Sequence, residues 1–174
     1  LTSLLDMPPK VKAAVMCAAM PDTQYLFSSS GGYGFIATLK DLISRQKAGK
    51  AFMTLGKGDV LLPPANVANG SLVAALGSNG KLLLFPISEM KALSSGKGVI
   101  ILGLNASETL MATAVLPAGS SLQIKGTGAG NKSLQGILKW EELQPFVLHR
   151  ARKGMLAPVK FKAEKITAIE TETH

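Results

Sequence analysis

The apolar positions of this chain fall in short runs cut apart by turn residues. "GFIATL", "KLLLFPI", "GVIIL" and "ATAVL" are each bounded by Gly, Pro, Ser or Asn, the punctuation expected of strands. No segment sustains an i, i+3, i+4 apolar pattern for the length of an ordinary helix. Pro63-Pro64 and Pro117-Ala118-Gly119 read as turns. Pro86 and Pro158 must lie at a strand edge or end, because proline has no N–H to give to a ladder.

The runs recur as a unit. "YLFSSSGGYGFIATLKDLISRQKAGKAFMTL", "LVAALGSNGKLLLFPISEMKALSSGKGVIIL" and "LQIKGTGAGNKSLQGILKWEELQPFVLHRARKGMLAP" share one plan. Each has a strand, a Gly-rich turn, a second strand and an acidic–apolar pair: Asp41-Leu42, Glu89-Met90 and Glu142-Leu143. A polar, basic stretch then leads to Gly49-Lys50, Gly96-Lys97-Gly98 or Lys153-Gly154. The offsets are about 48 and about 53 residues, in the range of propeller-like blades. Such units bury their faces only against neighbours, so an all-β array of four-stranded units is expected. Its repeats run at about 21–67, 71–118 and 121–170. Residues 1–20, "LTSLLDMPPKVKAAVMCAAM", read as strands left from a preceding unit, and a start at Leu1 suggests a piece of a longer protein.

Composition narrows the partner. With 47% hydrophobic and only 17% charged residues, the 174-residue chain is folded material. Nineteen Lys and Arg against eleven Asp and Glu give +8, which points to an anionic partner, nucleic acid first. An anionic membrane surface comes second, and no basic amphipathic helix supports it. No apolar run approaches the roughly 20 residues that cross a bilayer. A lone Cys17 excludes an intrachain disulfide and fits a reducing cytosol; in its Ala-rich run it reads as a buried, inert thiol.

Candidate chemistry reduces to charge. "GTGAGNKS", Gly126 to Ser133, nearly matches a phosphate-binding loop, but Asn131 replaces the last Gly and no helix pattern follows. A hairpin loop is the better reading, as it is for "SGGYG", which recurs as "SNG" with different residues. His149 and His174 are the only histidines, too few with one Cys for a nucleophilic or zinc site. Asp41, Glu89 and Glu142 recur with the repeat, which implies turn or cap roles. Trp140 reads as core. The basic clusters remain: Arg45, Lys47 and Lys50; Lys91 and Lys97; His149, Arg150, Arg152 and Lys153. One topological position carries them in successive units, so they are expected to form a stripe that can follow a phosphate backbone.

In "GGYGFIATLKDLISRQKAGKAFMTL", "GKLLLFPISEM" with "GKG", "EEL…RARKGML" and the opening "LTSLLDMPPKVKA", the chain resembles the C-terminal β-pinwheel of type IIA topoisomerase A subunits. It is more similar to the topoisomerase IV branch than to gyrase. The gyrase domain carries a Q-R-G-R-[KR]-G box; "HRARKG" keeps Arg150, Arg152 and Lys153-Gly154 but has Ala151 in place of Gly. The resemblance implies an open β-pinwheel of about three four-stranded antiparallel blades plus strands of a preceding one. It implies a non-catalytic part that binds and bends duplex DNA through Arg45, Lys47, Lys50, Lys91, Lys97, Arg150, Arg152 and Lys153, and so directs strand passage. Neither Tyr25 nor Tyr33 lies in a DNA-cleavage motif. No cofactor is expected in this chain; ATP and Mg2+ belong to other domains and the B subunit. The implied partners are duplex DNA, a second A subunit and the B subunit, in the cytoplasm and at no membrane. A gyrase-type DNA-wrapping domain and a propeller-like protein scaffold are the alternatives.

Overall fold

A computed structural model describes residues 15–16, 18–46 and 48–169, whose strands form three antiparallel sheets. The first repeat contributes β1 (Gln24–Ser28), β2 (Tyr33–Thr38), the one-turn helix α1 (Leu39–Leu42) and β3 (Ala65–Asn66). The second contributes β4 (Leu72–Gly77), β5 (Lys81–Pro86), β6 (Val99–Ile100) and β7 (Leu110–Leu116). The third contributes β8 (Ser121–Thr127), β9 (Ser133–Leu138), the one-turn helix α2 (Trp140–Leu143), β10 (Met155–Leu156) and β11 (Lys162–Ile169).

The sheets do not keep to their repeats. Their strand orders are β3-β1-β2-β6, β7-β4-β5-β10 and β11-β8-β9. The second repeat therefore completes the first sheet, and the third repeat completes the second. The third sheet has three strands among the described residues, and the outer edge of β9 lacks the neighbour that β2 and β5 have. The expected strands from residues 1–20 fall largely outside the described residues, as do Cys17 and His174.

Side-chain alternation explains the stacking. On β4, Leu72, Ala74 and Leu76 face the third sheet, where they meet Leu122, Ile124, Leu138 and Ile166. Val73 and Ala75 point the other way, onto Leu26 and Ile36 of the first sheet. A strand buried on both faces must be apolar at every position, and "LVAAL" and "LLLF" are. Leu82, Leu83, Leu84 and Phe85 are all 0% exposed, each contributing roughly 1.5–3 kcal/mol. The first sheet carries a third cluster on its far side: Phe27, Phe35 and Ala37, with Tyr25, Leu42 and Phe52 against them.

The glycine turns are hairpins. Gly32, at φ +84°, closes β1–β2, and Gly80, at φ +76°, closes β4–β5. Gly126 to Ser133 joins β8 to β9, with Thr127 paired to Ser133 and no helix opening where a nucleotide phosphate would need one. Pro86 ends β5.

Candidate nucleic-acid interface

The second and third basic clusters sit on segments that leave their own repeats. After Glu89-Met90, Ala92 makes a parallel bridge to Ile36; the chain then turns so that β6 lies antiparallel to β2 through Gly34↔Val99 and Tyr33↔Ile100. The third repeat does the same one blade on. Val147 bridges in parallel to Leu84, and β10 pairs with β5 through Leu82↔Met155 and Lys81↔Leu156. Lys97 and Lys153 occupy matching places on these two arms, each just before a glycine in the left-handed region, Gly98 at φ +84° and Gly154 at φ +68°. A Cβ on Gly98 would run into the Gly34 carbonyl, and one on Gly154 would stand 2.5 Å from the Leu82 carbonyl oxygen. These glycines let the arms lie flat on their host strands.

The arms are also tied to one another. The Gly96 N–H donates to the Phe52 carbonyl, and the Thr54 N–H to the Gly96 carbonyl, both at 2.9 Å. One blade on, the Ala151 N–H donates to the Ile101 carbonyl at 3.0 Å and the Gly103 N–H to the Arg152 carbonyl at 2.9 Å. The end of each arm thus holds the loop of the next. Lys50, Lys97 and Lys153 lie along this ribbon of linked segments and are all exposed; Lys97 and Lys153 share one structural position, and Lys50 corresponds to them in the sequence repeat.

The other sequence-predicted residues behave differently from one another. Arg45, Lys91 and Arg152 are exposed on the ribbon, and Lys47 lies outside the described residues. The Lys50 Nζ donates to the Asp41 carbonyl at 3.0 Å, and Lys97 Nζ stands 4.0 Å above the centre of the Tyr33 ring. Arg150 is half-buried and structurally engaged. Its Nη1 donates to the Ile100 carbonyl at 2.6 Å and its backbone N–H to Glu89 Oε2 at 2.7 Å. Its Nε is the one buried side-chain nitrogen or oxygen without a hydrogen bond among the described residues. Arg150 therefore bolts the third arm to the second.

Glu89 receives that arm. Its Oε1 lies 2.9 Å from His149 Nδ1, and this bond first, then the Arg150 N–H, holds its carboxyl below the usual carboxylate range. Glu142 instead turns back on its own repeat and accepts the Lys139 N–H at 2.8 Å. Glu142 thus has the cap role expected of it, whereas Glu89 reaches across to the arm of the next repeat. The crossing of the arms and the bolt role of Arg150 were not read from the sequence; the matched Lys-Gly pairs were the available signal.

Ala151 stands at φ +66° with no tertiary reason for a methyl group there. An L-residue costs about 1–2 kcal/mol in this conformation, partly offset by the greater freedom that glycine loses on folding. Ala151→Gly is expected to raise stability by about 0.5–1 kcal/mol and Tm by about 1–4 °C. Thermal unfolding checks this, and an unchanged or lower Tm contradicts it.

Among the described residues no group of three His, Cys, Asp or Glu is placed to hold a metal, and no helix is long and apolar enough to cross a membrane. No protein-family model matches the chain. It is 36% identical over 175 residues to the DNA topoisomerase 4 A subunit of Neisseria gonorrhoeae, covering 96% of this chain and 22% of that one. Against the DNA topoisomerase 4 A subunit of Escherichia coli K12 the identity is 34% over 163 residues, covering 90% and 21%. The chain thus spans about a fifth of the length of these relatives. The solved E. coli ParC C-terminal domain superposes with TM-score 0.82 at 30% identity, over 98% of this chain and 70% of that one. The DNA gyrase A C-terminal domain, at 16% identity and TM-score 0.65, covers 88% of this chain and 50% of that one and shares the fold.

Proposed function

Because the chain belongs to the family of topoisomerase IV A-subunit (ParC) C-terminal domains, we propose that it binds duplex DNA along the arm ribbon and bends it around the outer edge of the sheets. The observation that carries this is the recurrence of one exposed lysine in each sequence repeat, Lys50, Lys97 and Lys153, on segments that hydrogen-bond to one another, with Lys97 and Lys153 in the same structural place. Charges repeated at blade intervals meet a phosphate backbone at intervals, and a duplex that touches several blades must curve. The ribbon is made of loops and two-residue strands and offers no helix to enter a major groove, so its contacts are to phosphate and not to base edges. Sequence preference then reflects how easily a duplex bends. In the whole enzyme this region would be a non-catalytic guide for strand passage. DNA cleavage would lie elsewhere in the same polypeptide, with a second copy of it across the gate, and ATP with Mg2+ would be handled through the B subunit.

Fluorescence anisotropy with a short mixed-sequence duplex tests the reading. Arg45, Lys50, Lys91, Lys97, Arg152 and Lys153 each displace counterions, so the ribbon should contribute about −5 to the slope of log K against log salt. Scrambling the duplex sequence should change affinity little. Absent or salt-insensitive binding would contradict it.

A further inference from the structure

The ribbon leaves a second concentration of positive charge without a use. Residues 121–169 carry nine Lys and Arg against three Glu, a net +6 of the chain's +8. Only Arg150, Arg152 and Lys153 of the nine belong to the arm. On the third sheet Lys165 pairs directly with Lys125, Lys162 with Thr127 and Thr167 with Gln123. Lys125 pairs on its other side with Gln135. Directly paired residues share a face, so Lys125, Lys162, Lys165, Gln123, Gln135 and Thr167 make one surface. The opposite face holds Leu122, Ile124 and Ile166 in the core.

This surface differs from its counterparts. The first sheet is apolar on both faces, with Leu26 and Ile36 on one and Phe27, Phe35 and Ala37 on the other. The second is apolar on both faces as well. The third turns a mainly polar, basic face outward, on which Ile137 is the exposed apolar position opposite Gln123, with all three lysines exposed. Glu164, in the bulge between Ala163 and Lys165, accepts from Thr127 Oγ1 at 3.1 Å, and no carboxylate among the described residues forms an ion pair with any of the three lysines. Like charges directly opposite in a ladder are destabilising, and an anion bound between them removes that cost.

We propose that this face docks the phosphate backbone of duplex DNA, at a site separate from the arm ribbon; the proposal rests on the DNA-binding reading above. Lys125 and Lys165 stand about 5 Å apart on neighbouring strands, close enough to share one phosphate or clasp two. Gln123, Gln135 and Thr167 add hydrogen-bond groups around them. The outward positions hold no aromatic or Arg anchor of the kind that fixes a protein partner, and lysine is depleted in protein interfaces. Charge complementarity therefore favours a polyanion with a regular backbone over an acidic protein.

Lys125→Gln/Lys165→Gln, made both in the parent chain and in a Lys50→Ala/Lys97→Ala/Lys153→Ala chain, tests the site by salt titration against a mixed-sequence duplex. The expected result is a loss of about 2 from the slope of log K against log salt in both backgrounds. An unchanged slope in both overturns the site while leaving the ribbon intact. Loss of binding to a polyglutamate peptide with the DNA slope unchanged also overturns it and marks the face as a protein surface. If the parent chain binds no duplex, the DNA reading itself falls.

Discussion

Replacing Lys50, Lys97 and Lys153 together with alanine is expected to lower duplex affinity roughly 500-fold at 0.1 M salt and to flatten the salt slope by about 2.7. Each phosphate contact contributes about 0.9 to the slope, which is about eight-fold in affinity between 1 M and 0.1 M salt. The effect should be the same for every duplex sequence, because phosphate contacts carry no base information. The three side chains are exposed and sit outside the core clusters, so the fold should persist. Removing Lys97 also removes its contact with the Tyr33 ring, worth about 0.5–1 kcal/mol at an exposed site. A suitable control is Lys40→Ala. Lys40, on α1, already has its ammonium paired with Asp22 at 2.8 Å, and its loss should leave the slope unaltered. Anisotropy titrations at several salt concentrations read all of these values; a triple variant with the parent's slope would remove the ribbon from the interface.

Gly98→Ala is expected to destabilise the chain by about 3 kcal/mol or more, lowering Tm by about 6–12 °C. Two costs combine. The residue sits at φ +84°, where a Cβ costs about 1–2 kcal/mol. The new methyl group would also occupy the place of the Gly34 carbonyl, so β6 must lift from β2 and give up Gly34↔Val99 and Tyr33↔Ile100 pairing. Gly58 separates the two costs. It has the same φ of +84°, but a methyl group there would meet nothing within 4 Å, so Gly58→Ala should cost only about 0.5–1 kcal/mol net. Gly154→Ala, facing the Leu82 carbonyl, should resemble Gly98→Ala in stability and should also weaken DNA binding, because Arg152 and Lys153 ride on the displaced arm. Chemical denaturation of the three variants checks the ranking; equal losses at Gly98 and Gly58 would show that the arm is not held tightly to β2.

The repeat and the strand class were legible because the central sheet is buried on both faces. That demand writes "LVAAL" and "LLLF" as unbroken apolar runs, which no amphipathic helix or half-exposed strand would produce. The third repeat is patterned differently for a physical reason. Its sheet is covered on one face only, so "LQIKG" alternates, with Leu122 and Ile124 inward and Gln123 and Lys125 outward. The hairpins at Gly32 and Gly80 were legible from their turn residues.

What could not be read was which sheet each arm completes. The pairing of β6 with β2 and of β10 with β5 depends on contacts far apart in the chain, and two-residue strands carry almost no periodicity. The same distance hid Arg150. In sequence it is one of four neighbouring basic or imidazole side chains; only the fold shows its guanidinium turned onto the Ile100 carbonyl while Arg152 and Lys153 stay in solvent. The cross-strand meeting of Lys125 and Lys165 was hidden likewise, since β11 pairs with β8 across the whole third repeat.

The claim that the ribbon bends DNA is tested most directly by ligase-mediated cyclisation of a fragment of about 150 base pairs, close to the persistence length of the duplex. A stiff fragment of that size closes slowly, and a protein that curves it across several blades should raise the ring-closure rate. The expected result is acceleration by the parent chain and none by the Lys50→Ala/Lys97→Ala/Lys153→Ala chain at protein concentrations that saturate the fragment in each case. A parent chain that binds the fragment without changing its rate of closure would contradict the account.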